Sequence, residues 1–203
     1  MSMETTECPQ CGAPASPTER KCGYCKAEFF VTSIAYLSSF DRNGLSKYLA
    51  HFKKLTKENP DSGEGWLGLG LCYLQSGLFP MAQSCFVKAI EVAPELPQPY
   101  YYFALSRISG RRLMSMTLNE VREVEKYLAT AMQLDGETPL FKLLLAVIKG
   151  DYYEVNGLMV HPPAAETLLQ EINGAQINRG EIDRLRQCVL IRDDNFFATI
   201  SVN

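Results

Sequence analysis

Residues 63–96 read GEGWLGLGLCYLQSGLFPMAQSCFVKAIEVAPEL, and the spacing within this stretch decides the fold. Its apolar and small residues recur three or four positions apart, which is typical of helices that bury one face. We expect the small Gly70 and Ala82 to let two helices approach closely. Gly77 is placed to turn the chain between these helices, and Pro94 to stop the second one. The stretch therefore predicts an antiparallel helix pair.

A shift of the sequence by 34 residues superimposes similar residues, so the pair is one copy of a repeat. The matched positions are Phe52 with Phe86, Leu55 with Ala89, Leu37 with Leu71, and Pro60 with Pro94. The upstream copy predicts helices over 31–40 and 45–59, with DRNG as their turn. Downstream, a third copy begins at Tyr100 and contains an insertion, SGRRLMSMTLNE, before its second helix.

Three further helical patterns follow the third copy, and the first of them begins a fourth copy. A helix is predicted over 140–149, ended by Gly150, and two more in AAETLLQEI and EIDRLRQCVLI. The last two are expected to cap the open end of a helical stack, because a terminal repeat needs a polar outer face.

The best copy carries Trp66, Leu69, Gly70 and Tyr73, then Ala82, Phe86, Ala89 and Pro94. This order and spacing resembles the tetratricopeptide repeat, a pattern of W-x2-L-G-x2-Y, A-x3-F and P. The resemblance covers roughly residues 29–150, and it implies a mainly α, right-handed superhelix of antiparallel helix pairs.

Four of the seven cysteines lie within 18 residues, in CPQCGAPASPTERKCGYC at positions 8–25. Two C-x-x-C turns supply the four thiolates that a tetrahedral metal ion takes, so Cys8, Cys11, Cys22 and Cys25 are the predicted metal ligands. Gly12 and Gly23 are the residues expected to tolerate positive φ in these turns. Four protein ligands leave no open position, so a structural Zn²⁺ is expected. Iron bound by the same ligands and a redox role for the CPQC pair are the alternatives.

This segment resembles the short zinc-ribbon modules of bacterial proteins, in which CPxCG is followed by CxxCGxxF. The resemblance covers about 25 residues and implies two or three short strands around the metal. It departs from the pattern in CGYCKAEF, where Lys26 stands in the glycine place. The predicted domains are therefore a zinc-ribbon β minidomain at 1–28, helical repeats at 29–163 and capping helices at 164–203.

The first helix of each repeat is expected to line a concave wall, which predicts a binding groove for another protein's peptide or amphipathic helix. The groove residues by this pattern are Leu37, Phe40, Leu67, Leu71, Leu74, Tyr101, Leu105 and Ile108. Burial of the same residues as core is the alternative interpretation.

Composition narrows the function further. The net charge is −3 and basic residues are not clustered near the cysteines, which disfavours nucleic-acid binding. No apolar run reaches the roughly 18 residues that span a bilayer, and the N-terminus does not look like a secretory signal, so a cytoplasmic protein is expected. His51 and His161 are far apart and no catalytic motif occurs, so no enzyme activity is predicted.

The sequence therefore predicts a non-enzymatic adaptor that binds another protein. The alternatives are a nucleic-acid-associated regulator that contacts DNA or RNA through the zinc ribbon, and a redox switch that releases zinc on oxidation.

Overall fold

The computed structural model describes residues 6–16 and 19–190. This part of the chain is mainly helical, as predicted, and its one sheet is small. Strands β1 (Thr6–Glu7) and β2 (Pro14–Ala15) pair antiparallel, with Thr6 opposite Ala15. Contacts divide the chain into two compact units, Met1–Ala93 and Pro94–Asn203. The domain boundaries predicted after residues 28 and 163 fall inside these units and stay predictions.

The first unit contains the sheet and four helices. These are α1 (Ile34–Ser38), α2 (Arg42–Glu58), α3 (Gly63–Gln75) and α4 (Phe79–Val92). Three of them begin with a side-chain cap: Ser33, Asp41 and Ser62 each accept a hydrogen bond from a backbone N–H of the first turn. Helix α3 is the centre of the unit, since it packs against α1, α2 and α4.

The α3–α4 pair is held close by the absence of a side chain at Gly70. A Cβ atom there would lie 2.4 Å from Cε1 of Phe86, whose side chain is fully buried. Gly77 turns the chain with a φ of 74°, and α4 ends before Pro94, so these parts of the prediction are confirmed. Trp66, part of the repeat signature, is half-buried, and its indole N–H donates to the Pro60 carbonyl at 2.7 Å.

The second unit is mainly helical in its described part. It contains α5 (Pro97–Ile108), a 3₁₀ turn (Leu113–Ser115), α6 (Leu118–Leu134), α7 (Pro139–Ile148), a π-helical turn (Lys149–Glu154), α8 (Ala165–Glu171) and α9 (Arg179–Cys188). Helix α6 packs against α5 and α7, α7 packs against α8, and α9 packs against α5.

Two predicted helix ends are wrong. DRNG is not a turn: Asp41 caps α2, and the next three residues form the first turn of that helix. Gly150 does not end a helix, because the backbone continues from α7 through the π-helical turn. The two predicted C-terminal helices are present as α8 and α9, while residues 191–203 lie outside the described part.

Within residues 6–16 and 19–190, no helix combines the length and the apolar character needed to cross a bilayer.

Candidate metal centre

The two C-x-x-C pairs form two turns with the same backbone hydrogen bonds, which we call the first knuckle (Cys8–Cys11) and the second knuckle (Cys22–Cys25). In the first, the Cys8 N–H donates to the Ala13 carbonyl at 2.8 Å and the Cys8 carbonyl accepts from Gly12 at 2.9 Å. In the second, Cys22 donates to Ala27 at 2.8 Å and accepts from Lys26 at 3.0 Å. Both turns therefore point their two sulfurs to one side.

The four Sγ atoms converge on one centre. They all lie within 4.8 Å of one another, with 3.6 Å between Cys8 and Cys25 and 3.7 Å between Cys11 and Cys22. A metal ion with four sulfurs at about 2.3 Å has sulfur–sulfur edges of about 3.8 Å, so the cluster has the size of a tetrahedral site. Both short contacts join one knuckle to the other. This cysteine cluster could hold a metal ion, as the sequence predicted.

Backbone N–H groups donate to the first sulfur of each knuckle. Cys8 accepts from Gln10 and Cys11, and Cys22 accepts from Tyr24 and Cys25. The Cys25 N–H is the main reason that the pKa of Cys22 is lowered to about 6, whereas burial raises the pKa of Cys8 to about 12. Four thiolates so close together would repel one another without a cation between them, so the donor set fits a divalent metal ion.

Lys26, not Gly23, is the counterpart of Gly12. Gly12 has a φ of 73° and Lys26 a φ of 63°, and each donates its N–H back to the first cysteine of its knuckle. The expectation that Gly23 needs positive φ is wrong, since no left-handed conformation occurs there. A lysine in this conformation is strained, and its ammonium donates to the Gly23 carbonyl at 2.9 Å. In the sequence, only the departure from the zinc-ribbon pattern at this position indicated that Lys26 stands where the pattern has a glycine.

A closed loop of hydrogen bonds joins Glu28, three residues after the second knuckle, to α1 and α2. The Glu28 N–H donates to the Tyr36 hydroxyl at 2.9 Å, and the Tyr48 hydroxyl donates to the Glu28 carbonyl at 2.9 Å. The two hydroxyls are 2.8 Å apart, so Tyr36 supplies the proton of that bond. Tyr48 is fully buried, and burial raises its pKa well above the usual value. We call these three residues the tyrosine loop.

The first knuckle is attached to the start of α2. The Gln10 side-chain amide donates to the Gly44 carbonyl at 3.0 Å, and the Lys47 ammonium donates to the Gln10 carbonyl at 2.9 Å. Gly44 is also packed against Phe40, whose Cδ1 atom would lie 3.0 Å from a Cβ there. The cysteine cluster is thus bonded to two helices, through residues that the repeat pattern did not single out.

Two of the cations near the cysteines are in ion pairs. Arg20 binds Glu64 at 2.7 Å, and Lys21 binds Glu28 at 3.0 Å. Tyr24, between the cysteines of the second knuckle, is 77% exposed. Lys26 and Lys47, which also lie at the knuckles, donate to backbone carbonyls rather than to carboxylates.

The predicted groove residues are placed in the core. Seven of the eight are at most 1% exposed: Leu37, Leu67, Leu71, Leu74, Tyr101, Leu105 and Ile108. Phe40 is half-buried and packs edge-to-face against Tyr36 and Tyr48. The burial of these side chains does not support their forming an open binding wall, because α3 packs against α1, α2 and α4, and α5 packs against α6 and α9. The repeat pattern marks core and groove positions alike, so it could not separate them.

The second unit holds a buried ion pair that the sequence did not reveal. Lys149, 5% exposed, binds Glu125 at 2.7 Å, and the Tyr153 hydroxyl donates to the same carboxylate at 2.9 Å. Lys149 and Tyr153 belong to the π-helical turn, and Glu125 belongs to α6. Removing one partner of such a pair would leave the other charge buried without a partner, so we assign the pair a structural role.

The other cysteines, Cys72, Cys85 and Cys188, are buried, as expected for small core residues. Burial raises the pKa of Cys72 and of Cys85 to about 12, so neither is a thiolate at neutral pH.

No protein-family model matches the chain, and a search of curated proteins finds none with significant similarity.

Proposed function

We propose that this protein is a non-enzymatic adaptor, in which four cysteines hold a structural Zn²⁺ and a tetratricopeptide-like helical array binds another protein. The metal part of the proposal is supported by the sulfur positions and by the N–H groups aimed at Cys8 and Cys22. Four cysteine ligands would leave no position for water or substrate, so the metal would stabilise the fold. Iron in the same site is the alternative metal.

Helix order supports the array. Helices α3 and α4 form a close pair around a short turn at Gly77, and α5 packs against α6 across the longer connection that contains the 3₁₀ turn. Helix pairs that follow one another along the chain are the building unit of repeat arrays.

One observation carries the protein-binding role. The segment after the π-helical turn exposes three large apolar side chains: Val155 (44%), Leu158 (43%) and Met159 (79%). Val160, Pro162, Pro163, Ala164 and Thr167 line an open depression of about 560 Å³ in the same stretch. Exposed apolar side chains close together in one segment are typical of a protein interaction site, and methionine suits such sites because its side chain is adaptable. This segment replaces the predicted groove as the candidate contact surface.

Affinity capture with matched variants tests the proposal. Met159→Asp introduces a charge into the exposed segment, whereas Met81→Asp does so at a methionine of α4 that is 52% exposed. We expect the intact protein and Met81→Asp to retain the same partner proteins, and Met159→Asp to lose them. Equal capture by both variants would contradict the assigned surface, and absence of any specific partner of the intact protein would contradict the adaptor role.

The nucleic-acid alternative has weaker support, because Arg20 and Lys21 are held in ion pairs. A steep loss of DNA or RNA affinity with rising salt would favour it instead.

A further inference from the structure

Helix α2 carries an unusual amount of positive charge for a chain whose net charge is −3. It contains five basic residues and one acidic residue, Glu58. All five basic side chains are exposed: Arg42, Lys47, Lys53, Lys54 and Lys57. We call the solvent side of α2 that bears them the basic face.

Little of this charge is neutralised. Within the described part of the chain, the basic face has one ion pair, between Lys54 and Glu58 at 3.9 Å, and both side chains are more than 60% exposed. Ion pairs between exposed side chains contribute little to stability. Lys47 donates to a carbonyl of the first knuckle, and Lys53 lies 5.8 Å from the ring centroid of Tyr73. Neither of those partners carries a charge.

The charges are arranged along the helix in rows. Residues repeat every 100° around α2, and the buried Tyr48, Phe52 and Thr56 mark its core side. Lys47 and Lys54 follow one edge of the solvent side, and Arg42 and Lys53 follow the other. Lys57 lies between these rows, together with two small exposed residues, Ser46 and Ala50. The basic face is about 22 Å long from Arg42 to Lys57, at 1.5 Å per residue.

We propose that the basic face docks an acidic helical segment of the partner protein. The inference rests on the adaptor function and names the chemistry of the partner. Lys47 and Lys54 are seven residues apart, and Lys53 and Lys57 four, so they match carboxylates spaced at the same intervals on a second helix. The small residues between the rows leave room for that helix to approach, and charge complementarity steers and orients it.

A nucleic acid fits the same surface less well. The exposed residues of the basic face include no aromatic side chain on which bases could stack. The neighbouring cations of the knuckles, Arg20 and Lys21, are already paired with carboxylates.

The test uses the full chain and two labelled peptides of about 20 residues, long enough to cover the face at 1.5 Å per residue. Both are alanine-based with the same number of glutamates. In the periodic peptide the glutamates lie three, four and seven residues apart, and in the other peptide the same residues are in scrambled order. A single-stranded oligo-dT of similar length serves as the nucleic-acid probe. Fluorescence anisotropy at low and high salt measures the affinities.

Lys57→Glu and Lys126→Glu are the matched variants, because each reverses one exposed lysine, on α2 and on α6 respectively. Lys54→Glu is a second variant on the basic face, and thermal unfolding confirms that each variant is folded. We expect the periodic peptide to bind more tightly than the scrambled one, with affinity falling as salt rises. Lys57→Glu should weaken it about fivefold, and Lys126→Glu should not change it.

Equal binding of the two peptides, tighter binding of oligo-dT, no peptide binding at low salt, or equal losses in Lys57→Glu and Lys126→Glu would each overturn the inference. If capture of partners still depended on Met159 after such a result, the adaptor function would stand without the basic face.

Discussion

Replacing Tyr48 with phenylalanine removes one hydroxyl from the tyrosine loop and leaves the aromatic ring in place. The hydroxyl donates to the Glu28 carbonyl at 2.9 Å and accepts from Tyr36 at 2.8 Å, in a side chain with no solvent exposure. Its loss breaks two hydrogen bonds and leaves a carbonyl oxygen and a hydroxyl proton without partners. Tyr36 is half-buried, so water can satisfy part of that loss.

The size of the effect follows from those two groups. An unsatisfied buried donor or acceptor costs about 1–3 kcal/mol. With one group fully affected and the other partly hydrated, we expect Tyr48→Phe to lower the free energy of unfolding by about 2 kcal/mol. Because the tyrosine loop attaches the segment that follows the second knuckle to α1 and α2, a bound metal ion should also be released to a chelator faster.

Tyr24→Phe is the control, since it makes the same chemical change at a tyrosine that is 77% exposed. Urea unfolding followed by circular dichroism gives the free energies, and a colorimetric chelator gives the release rates. In the double variant Tyr36→Phe/Tyr48→Phe the cost should be less than the sum of the single costs, because both remove parts of one loop. If Tyr48→Phe stays within about 0.5 kcal/mol of the unchanged protein, as Tyr24→Phe should, the reasoning about the loop is refuted.

Three further predictions concern single contacts. Gly70→Ala should destabilise the protein by about 1–2 kcal/mol in thermal unfolding, because the new Cβ would lie 2.4 Å from the buried Phe86 ring. This loss is expected although alanine is the better helix former by about 1 kcal/mol. A gain in stability would show that α3 and α4 are not in close contact at this position. Gly12→Ala should lower the free energy of unfolding by about 1–2 kcal/mol, because Gly12 has a φ of 73°. Gly23→Ala should lower it less, because Gly23 does not have a positive φ. Equal losses would contradict the assigned turns. The pKa of Glu120 is lowered to about 2, mainly by its hydrogen bond to Arg111, so its contribution to stability is present above the ordinary pKa and is lost as the pH falls from about 4.5 toward 2. Between pH 6 and pH 3 the unfolding temperature of Glu120→Gln should therefore fall less than that of the unchanged protein. Parallel falls would be evidence against a stabilising Glu120 carboxylate.

The helical class and the cysteine cluster were predictable because each rests on short-range spacing. The C-x-x-C pairs closed into the expected turns, and Gly70, Gly77 and Pro94 act where the repeat pattern placed them. These features depend on local geometry and on a few small residues, which a single sequence displays directly.

Contacts between distant segments were not predictable in the same way. Nothing in the spacing of Tyr36 and Tyr48 indicated that their hydroxyls would bind the backbone of Glu28. The repeat pattern identified Leu71 as a groove residue, yet the packing of α3 against α1, α2 and α4 buries it. An apolar residue on the first helix of a repeat can face a partner or a neighbouring helix, and only the arrangement of the other helices decides between them.

Metal content and coordination of the purified full chain test the central claim most directly. We predict one metal ion per chain with four sulfur ligands at about 2.3 Å by X-ray absorption spectroscopy. Cys25→Ser should lose the ion while most of the helical circular dichroism remains, since the helices have cores of their own. A folded chain that binds no metal ion, or one whose ion is coordinated by ligands other than the four sulfurs, would contradict the account.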